Sequence, residues 1–340
     1  MKIAVIGASG YTGIELLRLL SSIADLEINQ ITSRQYKGKK LKNVFPFFSK
    51  NRYADLTFEE EIDLEKSDFF FLCLPHETSL ELVNQIYKTK KKIIDLSGAY
   101  RLKDSSLYKE FYGFEHKYPD VLAQTVYGLP ELFRDHIKGA SVVANPGCYP
   151  TATILGIYPA VKENILDRET VVVTAYSGTS GAGRELKQQF HYPEAFSDAY
   201  AYKPKNHRHI PEIEETINIF SYQKIKIRFT PHILPVSRGM IATINFRTDV
   251  KEEQLKDIYQ NLYEKEPFIR IVETPSHIKY VNGTNYCDIF ISVDERTSYA
   301  TVISVIDNLG KGASLQAVQN FNLMTQREET QALTSLPIYP

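Results

Sequence analysis

The sequence predicts an α/β protein of two parts, a parallel sheet covered by helices and an α+β region with a mostly antiparallel sheet. Over about the first 150 residues, short apolar strands alternate with amphipathic helices, which is typical of parallel sheets with helical crossovers. Beyond that point the strands are longer, and two pairs of them are separated by short polar turns, as in hairpins. The length of 340 residues also favours two domains over one.

Hydrophobic periodicity places the individual elements. In the first region, strands are expected over 2–6, 27–32, 69–74, 92–96 and 141–144, and helices over 13–21 and 79–88. In the second region, helices are expected over 150–161, 211–219 and 253–264, and strands over 170–177, 224–235, 240–247, 289–293 and 299–306. The predicted hairpins are 224–235 with 240–247 and 289–293 with 299–306.

The end of the chain is expected to rejoin the first domain. A helix predicted over 313–324 follows a glycine-rich turn, after the last strand of the second region. We therefore expect one domain built from residues 1–147 and 313–340, and a second built from residues 148–312.

Composition and charge exclude several classes of protein. The 40 basic residues balance the 41 acidic ones, so the net charge of −1 provides no basic field for nucleic acid or acidic lipid. No run of about 18 apolar residues is available to span a membrane. The chain enters a strand at once, which leaves no room for a signal peptide. Three widely spaced cysteines fit a reducing cytoplasm better than a disulfide framework, so a soluble cytoplasmic enzyme is expected.

A glycine-rich turn near the N-terminus links the first strand to the first helix. Such a turn lets the backbone approach a pyrophosphate closely, and the N–H groups of the helix N-terminus then face its charge. The alternative is a tight strand–helix turn without a ligand, but the strand and amphipathic helix on either side favour a Rossmann-type nucleotide site. The predicted contacts are Gly7, Ser9, Gly10, Tyr11, Thr12 and Gly13.

The end of the second strand indicates which dinucleotide would bind. An NAD enzyme usually has an acidic residue there, which binds the ribose 2′-hydroxyl. This chain has Ser33 and Arg34 instead, followed by several lysines. A hydroxyl and a guanidinium suit a 2′-phosphate, whereas a carboxylate would repel it. The position and the charge together favour NADP over NAD, although a solvated basic loop would have a similar sequence.

One of the three cysteines lies in a distinctive setting. The strand that ends at residue 144 is followed by Pro146 and Gly147, and Pro150 suits an early position in the next helix. Cys148 is therefore expected at a helix N-terminus, where the helix dipole favours the thiolate and so a nucleophile. Cys73 lies in an apolar run and is expected in the core, as is Cys287.

A second polar segment, residues 207–213, offers a general acid/base. It contains His207, His209 and Glu212, and Pro211 marks the first turn of a helix. An imidazole has a pKa near neutrality, and a catalytic cysteine needs such a group to move protons to and from the oxygen of its intermediate. Histidines two residues apart could also bind a metal, but no cysteine or acidic cluster with ligand spacing accompanies them, so no metal is expected.

Six segments occur in an order that resembles one known family. They are residues 7–13, 95–102, 145–151, 177–184, 207–213 and 307–313. In this order they resemble the N-acetyl-gamma-glutamyl-phosphate reductases, which are NADPH-dependent relatives of the aspartate-semialdehyde dehydrogenases. The resemblance implies a Rossmann domain completed by the C-terminal helix, an inserted α+β catalytic domain, and a homodimer or homotetramer assembled through the sheet of that domain.

The resemblance also implies roles for individual residues. Cys148 would be the nucleophile, His209 the acid/base, Glu212 an orienting group and Arg101 the cation that faces the anionic end of the substrate. Further cofactor contacts would be Pro75, Ser177, Gly178 and Asn308, and further substrate contacts Asn145, Arg184 and His207. The chain departs from the family pattern at two places: it has Gly98-Ala99-Tyr100 where Ala-Asp-Phe is usual, and Ser314-Leu315 where Ala-Gly is usual.

The activity implied is NADPH-dependent reduction of N-acetyl-L-glutamyl 5-phosphate to the semialdehyde in arginine biosynthesis, through a thioester on Cys148 and with release of phosphate. Two alternatives use the same chemistry on aspartyl phosphate or on a carrier-linked aminoadipyl phosphate. A phosphorylating sugar-phosphate dehydrogenase would also use Cys and His, but usually has an acidic residue after its second strand. A non-catalytic NADP-binding sensor would have no use for the cysteine and histidine segments.

Overall fold

The computed structural model describes residues 1–339, and Pro340 of the predicted first domain lies outside the described residues. The chain divides into two compact units, residues 1–146 with 313–334 and residues 147–312 with 335–339. The C-terminal segment groups with the second unit, where we had placed it in the first. The reason is local, because the N–H of Ile338 donates to the carbonyl of Asn282, 3.3 Å away.

The first unit contains a seven-stranded sheet in which every neighbouring pair is parallel. The strand order is β3-β2-β1-β4-β5-β7-β6. Its strands are β1 (Lys2–Ile6), β2 (Glu27–Thr32), β3 (Phe58–Glu59), β4 (Phe69–Leu72), β5 (Lys92–Asp95), β6 (Val126–Tyr127) and β7 (Val142–Ala144). Its helices include α1 (Tyr11–Leu20), α2 (Leu41–Val44), α3 (His76–Lys88), α4 (Leu107–Tyr112), α5 (Pro119–Gln124) and α6 (Pro130–Lys138).

The predicted parallel sheet is confirmed, and β1 and β2 have the expected bounds. All four residues of β4 are buried, as expected of a strand covered on both faces. Helix α1 begins at Tyr11, two residues earlier than predicted, because Gly10 occupies the N-cap position. Helices α4, α5 and α6 were not expected from the sequence, because segments of six to nine residues contain too few turns for a clear helical period.

The second unit contains another seven-stranded sheet, with the order β12-β13-β14-β11-β8-β10-β9. Its elements are α7 (Cys148–Lys162), β8 (Val172–Gly178), α8 (Tyr192–Ala195), β9 (Tyr200–Ala201), α9 (His209–Asn218), β10 (Arg228–Leu234), β11 (Met240–Arg247), α10 (Glu252–Tyr263), β12 (Ile269–Ile271), β13 (Cys287–Asp294) and β14 (Tyr299–Ile306). Helix α11 (Leu315–Met324) then belongs to the first unit.

The second sheet is mostly antiparallel, but one predicted hairpin is wrong. Strands β13 and β14 pair as a hairpin, as expected. Strands β10 and β11 do not pair, because β8 lies between them, parallel to β10 and antiparallel to β11. Residues 235–239 join the two strands, and five residues reach far enough to cross one intervening strand.

Helix α7 covers one face of the second sheet. It packs on β11 and β14, and residues 149–161 of the helix are all buried. Along β11, buried residues alternate with half-buried ones such as Thr243 and Asn245, so the opposite face is less covered. Among the described residues, no helix has both the length and the apolar character that crossing a bilayer requires.

Candidate active site

The glycine turn of the first unit has the features of an anion site. Helix α1 begins after Gly10, which provides no side-chain cap, and its first turn contains no acidic residue. A Cβ at Gly7 would overlap the carbonyl oxygen of Cys73, and one at Gly13 would lie 2.6 Å from the Cα of Ala8. The turn therefore needs glycine for its own packing, and its exposed N–H groups can face a pyrophosphate.

The predicted 2′-phosphate residues lie beside this turn. The hydroxyl of Ser33 is 2.8 Å from that of Ser9, which links the end of β2 to the glycine turn. Arg34 is exposed. Nearby lysines are engaged with carboxylates: Lys37 pairs with Glu60, and Lys40 and Lys42 pair with Asp55. Lys39 lies over the ring of Tyr36, 5.8 Å from its centroid, and Arg34 directly follows Ser33, so Arg34 is a candidate cation for a phosphate at this position.

A further polar group near this turn, Gln316, was not anticipated from the sequence. Both polar atoms of its side chain are buried without a hydrogen-bond partner among the described residues. The hydroxyl of Ser314 donates to the carbonyl of Thr12 at 3.0 Å, so the start of α11 lies beside the glycine turn. A buried amide without partners is costly, which marks Gln316 as a candidate for contact with a ligand.

Cys148 is the first residue of α7 in the second unit. The N-cap is Gly147, no acidic residue lies in the first turn, and the thiol-bearing residue is partly exposed. The first intrahelical bond is donated by the N–H of Thr151 to the carbonyl of Gly147, at 2.9 Å. The N–H groups of Cys148 and Tyr149 therefore precede the helical ladder and can face a developing oxyanion.

Glu212 holds the turn that precedes the cysteine. Its carboxylate accepts the N–H of Gly147 at 2.8 Å, and its side chain is 1 % exposed. Because Glu212 lies one turn after His209 in α9, this hydrogen bond links the start of α9 to the start of α7. The contact that the structure shows for Glu212, predicted as an orienting group, is therefore with the backbone of the residue before Cys148.

The two histidines differ in their surroundings. His209 begins α9, and its backbone N–H donates to Nδ1 of His207 at 3.2 Å. Burial, with help from the cations Arg208 and Lys203, lowers the pKa of His207 to about 3. A neutral His207 keeps its Nδ1 as an acceptor for the start of α9, so its observed contact is with the backbone. The structure gives no contact that tests the predicted role of His207 in substrate binding.

A turn over residues 307–312 approaches the cysteine closely. A Cβ at Gly312 would lie 2.7 Å from the Cβ of Cys148, so only glycine fits there. The carbonyl of Asp307 accepts the N–H groups of Gly310 and Gly312, which closes the turn. The Asn308 side chain accepts from the N–H of Gly239 and donates to Ser180. Asn308, predicted as a cofactor contact, is thus engaged within the second unit.

The remaining predicted residues lie in different environments. In the first unit, Arg101 donates to the carbonyls of Asn145 and Leu96, and so fastens the ends of β7 and β5. The side chain of Asn145 contacts Ala313 and Asn320, which gives it a structural role. Pro75 is exposed at the N-cap of α3. In the second unit, Ser177 and Gly178 end β8, and Arg184 is exposed.

The departures at residues 98–100 have a local explanation. A Cβ at Gly98 would overlap the ring of Tyr112, so the position of that ring requires glycine at 98. Ala99 is fully buried in the apolar cluster of the first unit, where an acidic side chain would be costly. The hydroxyl of Tyr100 donates to the carbonyl of Leu80 at 2.8 Å, which accommodates the polar atom that phenylalanine lacks.

Comparison with known proteins agrees with this division of the chain. Residues 2–140 match the model "Semialdehyde dehydrogenase, NAD binding domain", and residues 148–308 match "Semialdehyde dehydrogenase, dimerisation domain". A relative from Aquifex aeolicus is 49% identical over 340 residues, covering 100% of this chain and 99% of its own. A relative from Geobacter sp. strain M21 is 44% identical over 349 residues, covering 100% of both chains. Both are named N-acetyl-gamma-glutamyl-phosphate reductase.

Solved structures share the fold at low sequence identity. Aspartate semialdehyde dehydrogenase II from Vibrio cholerae, complexed with ASA, has a TM-score of 0.70 and 18% identity, covering 96% of this chain and 98% of its own. The Candida albicans aspartate semialdehyde dehydrogenase with NADP has a TM-score of 0.71 and 14% identity, covering 95% and 98%. The chain therefore belongs to the semialdehyde dehydrogenase family and, within it, to the N-acetyl-gamma-glutamyl-phosphate reductases.

Proposed function

We propose that this protein reduces N-acetyl-L-glutamyl 5-phosphate to N-acetyl-L-glutamate 5-semialdehyde with NADPH, as its relatives' name describes. The observation that carries the proposal is the hydrogen bond from the N–H of Gly147 to Glu212. It fixes the helix start that bears Cys148 against the helix that begins with His209. A thiol at a helix N-terminus beside an imidazole is an arrangement suited to acyl transfer.

The first step uses the thiolate of Cys148. It attacks the carbonyl carbon of the acyl phosphate, the C–S bond forms, and the C–O bond to phosphate breaks with the electron pair leaving on phosphate. The N–H groups of Cys148 and Tyr149 stabilise the oxyanion, an effect worth about 3 kcal/mol per donor in well-studied enzymes. The thioester keeps the acyl group activated for hydride transfer after phosphate has left, and it holds that group on the enzyme.

The second step returns the cysteine to its starting state. NADPH, when bound, supplies the hydride that reduces the thioester carbon. His209 then protonates the tetrahedral oxygen and takes the proton back as the C–S bond breaks, so the thiolate leaves and the aldehyde is released. The one proton that the overall reaction consumes ends on phosphate. Arg101 is assigned to the anionic end of the substrate, where its planar donors suit phosphate better than a lysine would.

The cofactor site is assigned to the first unit. The uncapped N-terminus of α1 fits a pyrophosphate, Ser33 and Arg34 fit a 2′-phosphate, and the unsatisfied amide of Gln316 fits the carboxamide of a nicotinamide. NADPH is therefore preferred to NADH. We also assign the protein to the cytoplasm, because three widely spaced cysteines suit a reducing compartment.

The protein is further assigned as a homo-oligomer, at least a dimer, that associates through the second sheet. Half-buried residues alternate along β11 on the face opposite α7, and the matching family model is named a dimerisation domain. Thr243 lies on this face in a central strand. Thr243→Arg should convert the dimer or tetramer to a monomer in light scattering. An unchanged mass would contradict this assignment.

The function is tested by offering two substrates side by side. Oxidation of NADPH is followed with N-acetylglutamyl phosphate and with aspartyl phosphate, each with the wild-type protein and with Cys148→Ser. We expect turnover with the acetylated substrate and at least a thousandfold loss in the variant. Preference for aspartyl phosphate would establish the alternative reductase. If the protein turns over neither substrate but still binds NADPH tightly, the non-catalytic NADP-binding sensor would be favoured.

A further inference from the structure

Tyr149, which follows the cysteine directly, contacts both histidines of the candidate site. Its ring centroid lies 5.7 Å from that of His207 in an edge-to-face arrangement and 5.8 Å from that of His209. The two imidazole centroids are 4.8 Å apart. These separations are typical of favourable aromatic contacts, so one ring from α7 packs against the imidazole pair.

The orientation of this ring is itself fixed by hydrogen bonds. The hydroxyl of Tyr149 donates to the carbonyl of His232 in β10 at 2.9 Å. It also accepts from the hydroxyl of Tyr202 at 3.3 Å. Phe229 packs edge-to-face on the Tyr149 ring at 5.5 Å. Because Tyr149 is 3 % exposed and held on several sides, it has little freedom to rotate away from the imidazoles.

The contacts of His207 show what this ring maintains. Four rings pack around it, and the charged or titratable groups that face it come from several elements: Tyr149, Tyr202, His209, Lys203 and Arg208. Two of these five groups, Lys203 and Arg208, are cations, and none of the five is a carboxylate that would stabilise an imidazolium. The neutral ring can accept the N–H of His209, which a protonated Nδ1 could not do.

We propose that Tyr149 is a positioning residue for the acid/base pair: its ring holds His207 and His209 in place beside the start of α7. Tyr149 acts through the two imidazoles rather than on the substrate. Because Tyr149 directly follows Cys148, the nucleophile and the ring that packs against the imidazoles lie in the same first turn of α7. The turnover readout for this role rests on the proposed function, whereas the histidine titration does not.

The test compares two variants of the full-length protein. Tyr149→Phe keeps the ring but loses the bond to the carbonyl of His232, and Tyr149→Leu removes the ring. Matched controls are Tyr259→Phe and Tyr259→Leu, because Tyr259 is fully buried in the same unit and its hydroxyl also donates to a backbone carbonyl, that of Gly156. Thermal midpoints identify variants that fail to fold.

The first readout is the titration of the histidine rings, followed by NMR of protein labelled with ¹⁵N-histidine. In the wild type, His207 should stay neutral down to about pH 4, because its pKa is about 3. In folded Tyr149→Leu, water reaches the ring, and its pKa should rise toward the ordinary value of about 6.5. The Tyr259 variants should leave the titration of His207 unchanged.

The second readout is turnover with the acyl phosphate. Tyr149→Leu should lower kcat about tenfold or more without changing the Kd for NADPH, and Tyr149→Phe should restore most of the loss. An unchanged His207 titration together with wild-type kcat in Tyr149→Leu would overturn the proposal. If Tyr149→Leu does not fold, Tyr149→Met, which also removes the ring, takes its place, and an unchanged His207 titration with wild-type kcat in that variant would overturn the proposal. If the wild type turns over no acyl phosphate, the proposed function fails, and the titration still decides the role of Tyr149.

Discussion

Two strand–turn–helix junctions of the molecule have nearly the same backbone but carry different chemistry. Gly10 precedes α1 with φ −74° and ψ 167°, and Gly147 precedes α7 with φ −71° and ψ 155°. Neither helix has a side-chain cap or an acidic residue in its first turn. Both therefore present N–H groups and the positive end of a helix dipole.

The two junctions differ in the residues that surround the uncapped helix N-terminus. At the first junction no cysteine follows the glycine. Cys73, which was expected in the core, is a partly exposed residue, and desolvation raises the pKa of its thiol to about 12. At the second junction a partly exposed cysteine opens the helix, and a buried carboxylate holds the glycine N–H. We infer from the comparison that an uncapped helix N-terminus suits an anion by itself, and that it would suit acyl transfer once a thiol and an acid/base are added.

The largest expected effect comes from removing the nucleophile at the second junction. Cys148→Ser should lower the rate of NADPH oxidation at least a thousandfold, because a serine hydroxyl is not ionised near neutral pH. The Kd for NADPH, measured by fluorescence titration, should not change, since the first junction is intact. A variant with near wild-type turnover would show that no covalent step occurs.

A smaller effect is expected from the carboxylate that distinguishes the second junction. Glu212→Ala leaves the N–H of Gly147 without its partner, a loss of about 1–3 kcal/mol that should lower kcat by about 5- to 150-fold. Glu212→Gln keeps an acceptor oxygen and should retain most of the activity. If both substitutions had equal effects on kcat, the backbone contact would not be the reason for the residue.

At the first junction, the expected effect is on affinity. Arg34→Gln should weaken NADPH binding about tenfold and leave NADH binding unchanged, because the guanidinium is assigned to the 2′-phosphate. Lys37→Gln is the matched control, since Lys37 is already paired with Glu60. Equal losses in the two variants, or equal losses for both cofactors, would point to general electrostatics rather than to a specific contact.

The smallest expected effect concerns the close approach at the second junction. Gly312→Ala must displace the start of α7 from the turn, because a Cβ there would lie 2.7 Å from the Cβ of Cys148, and the displaced thiol should be alkylated by iodoacetamide several-fold more slowly. Gly139→Ala is the control, because a Cβ there meets nothing within 4 Å. In the wild type one thiol per chain should react quickly, since Cys287 is fully buried and Cys73 is held neutral. Equal alkylation rates in Gly312→Ala and Gly139→Ala would contradict the close approach of residue 312 to Cys148.

The two junctions were predictable from sequence because each is local. Glycines at 7, 10 and 13, and the run from Pro146 to Pro150, determine their own turns within a few residues. The contact between Gly147 and Glu212 spans 65 residues, so no local pattern indicated it. The insertion of β8 between β10 and β11 was missed for the same reason, since a short connection looks like a hairpin whichever strand lies between.

Other features depend on what a side chain meets in three dimensions. The sequence placed Asn145 and Asn308 among the binding residues, and the structure shows their amides engaged with the protein itself. It gave no signal for Gln316, whose environment alone marks it as unsatisfied. A polar residue in a motif can bind a ligand or hold the motif together, and only its partners distinguish the two roles.

The central claim is that Cys148 carries the acyl group, and it can be tested without any turnover. The protein is mixed with N-acetylglutamyl phosphate in the absence of NADPH, quenched in acid and digested for mass spectrometry. We predict one N-acetylglutamyl group per chain, attached to the peptide that contains Cys148 and released as semialdehyde when NADPH is added before the quench. An unmodified Cys148, or the acyl group on a different residue, would contradict the account.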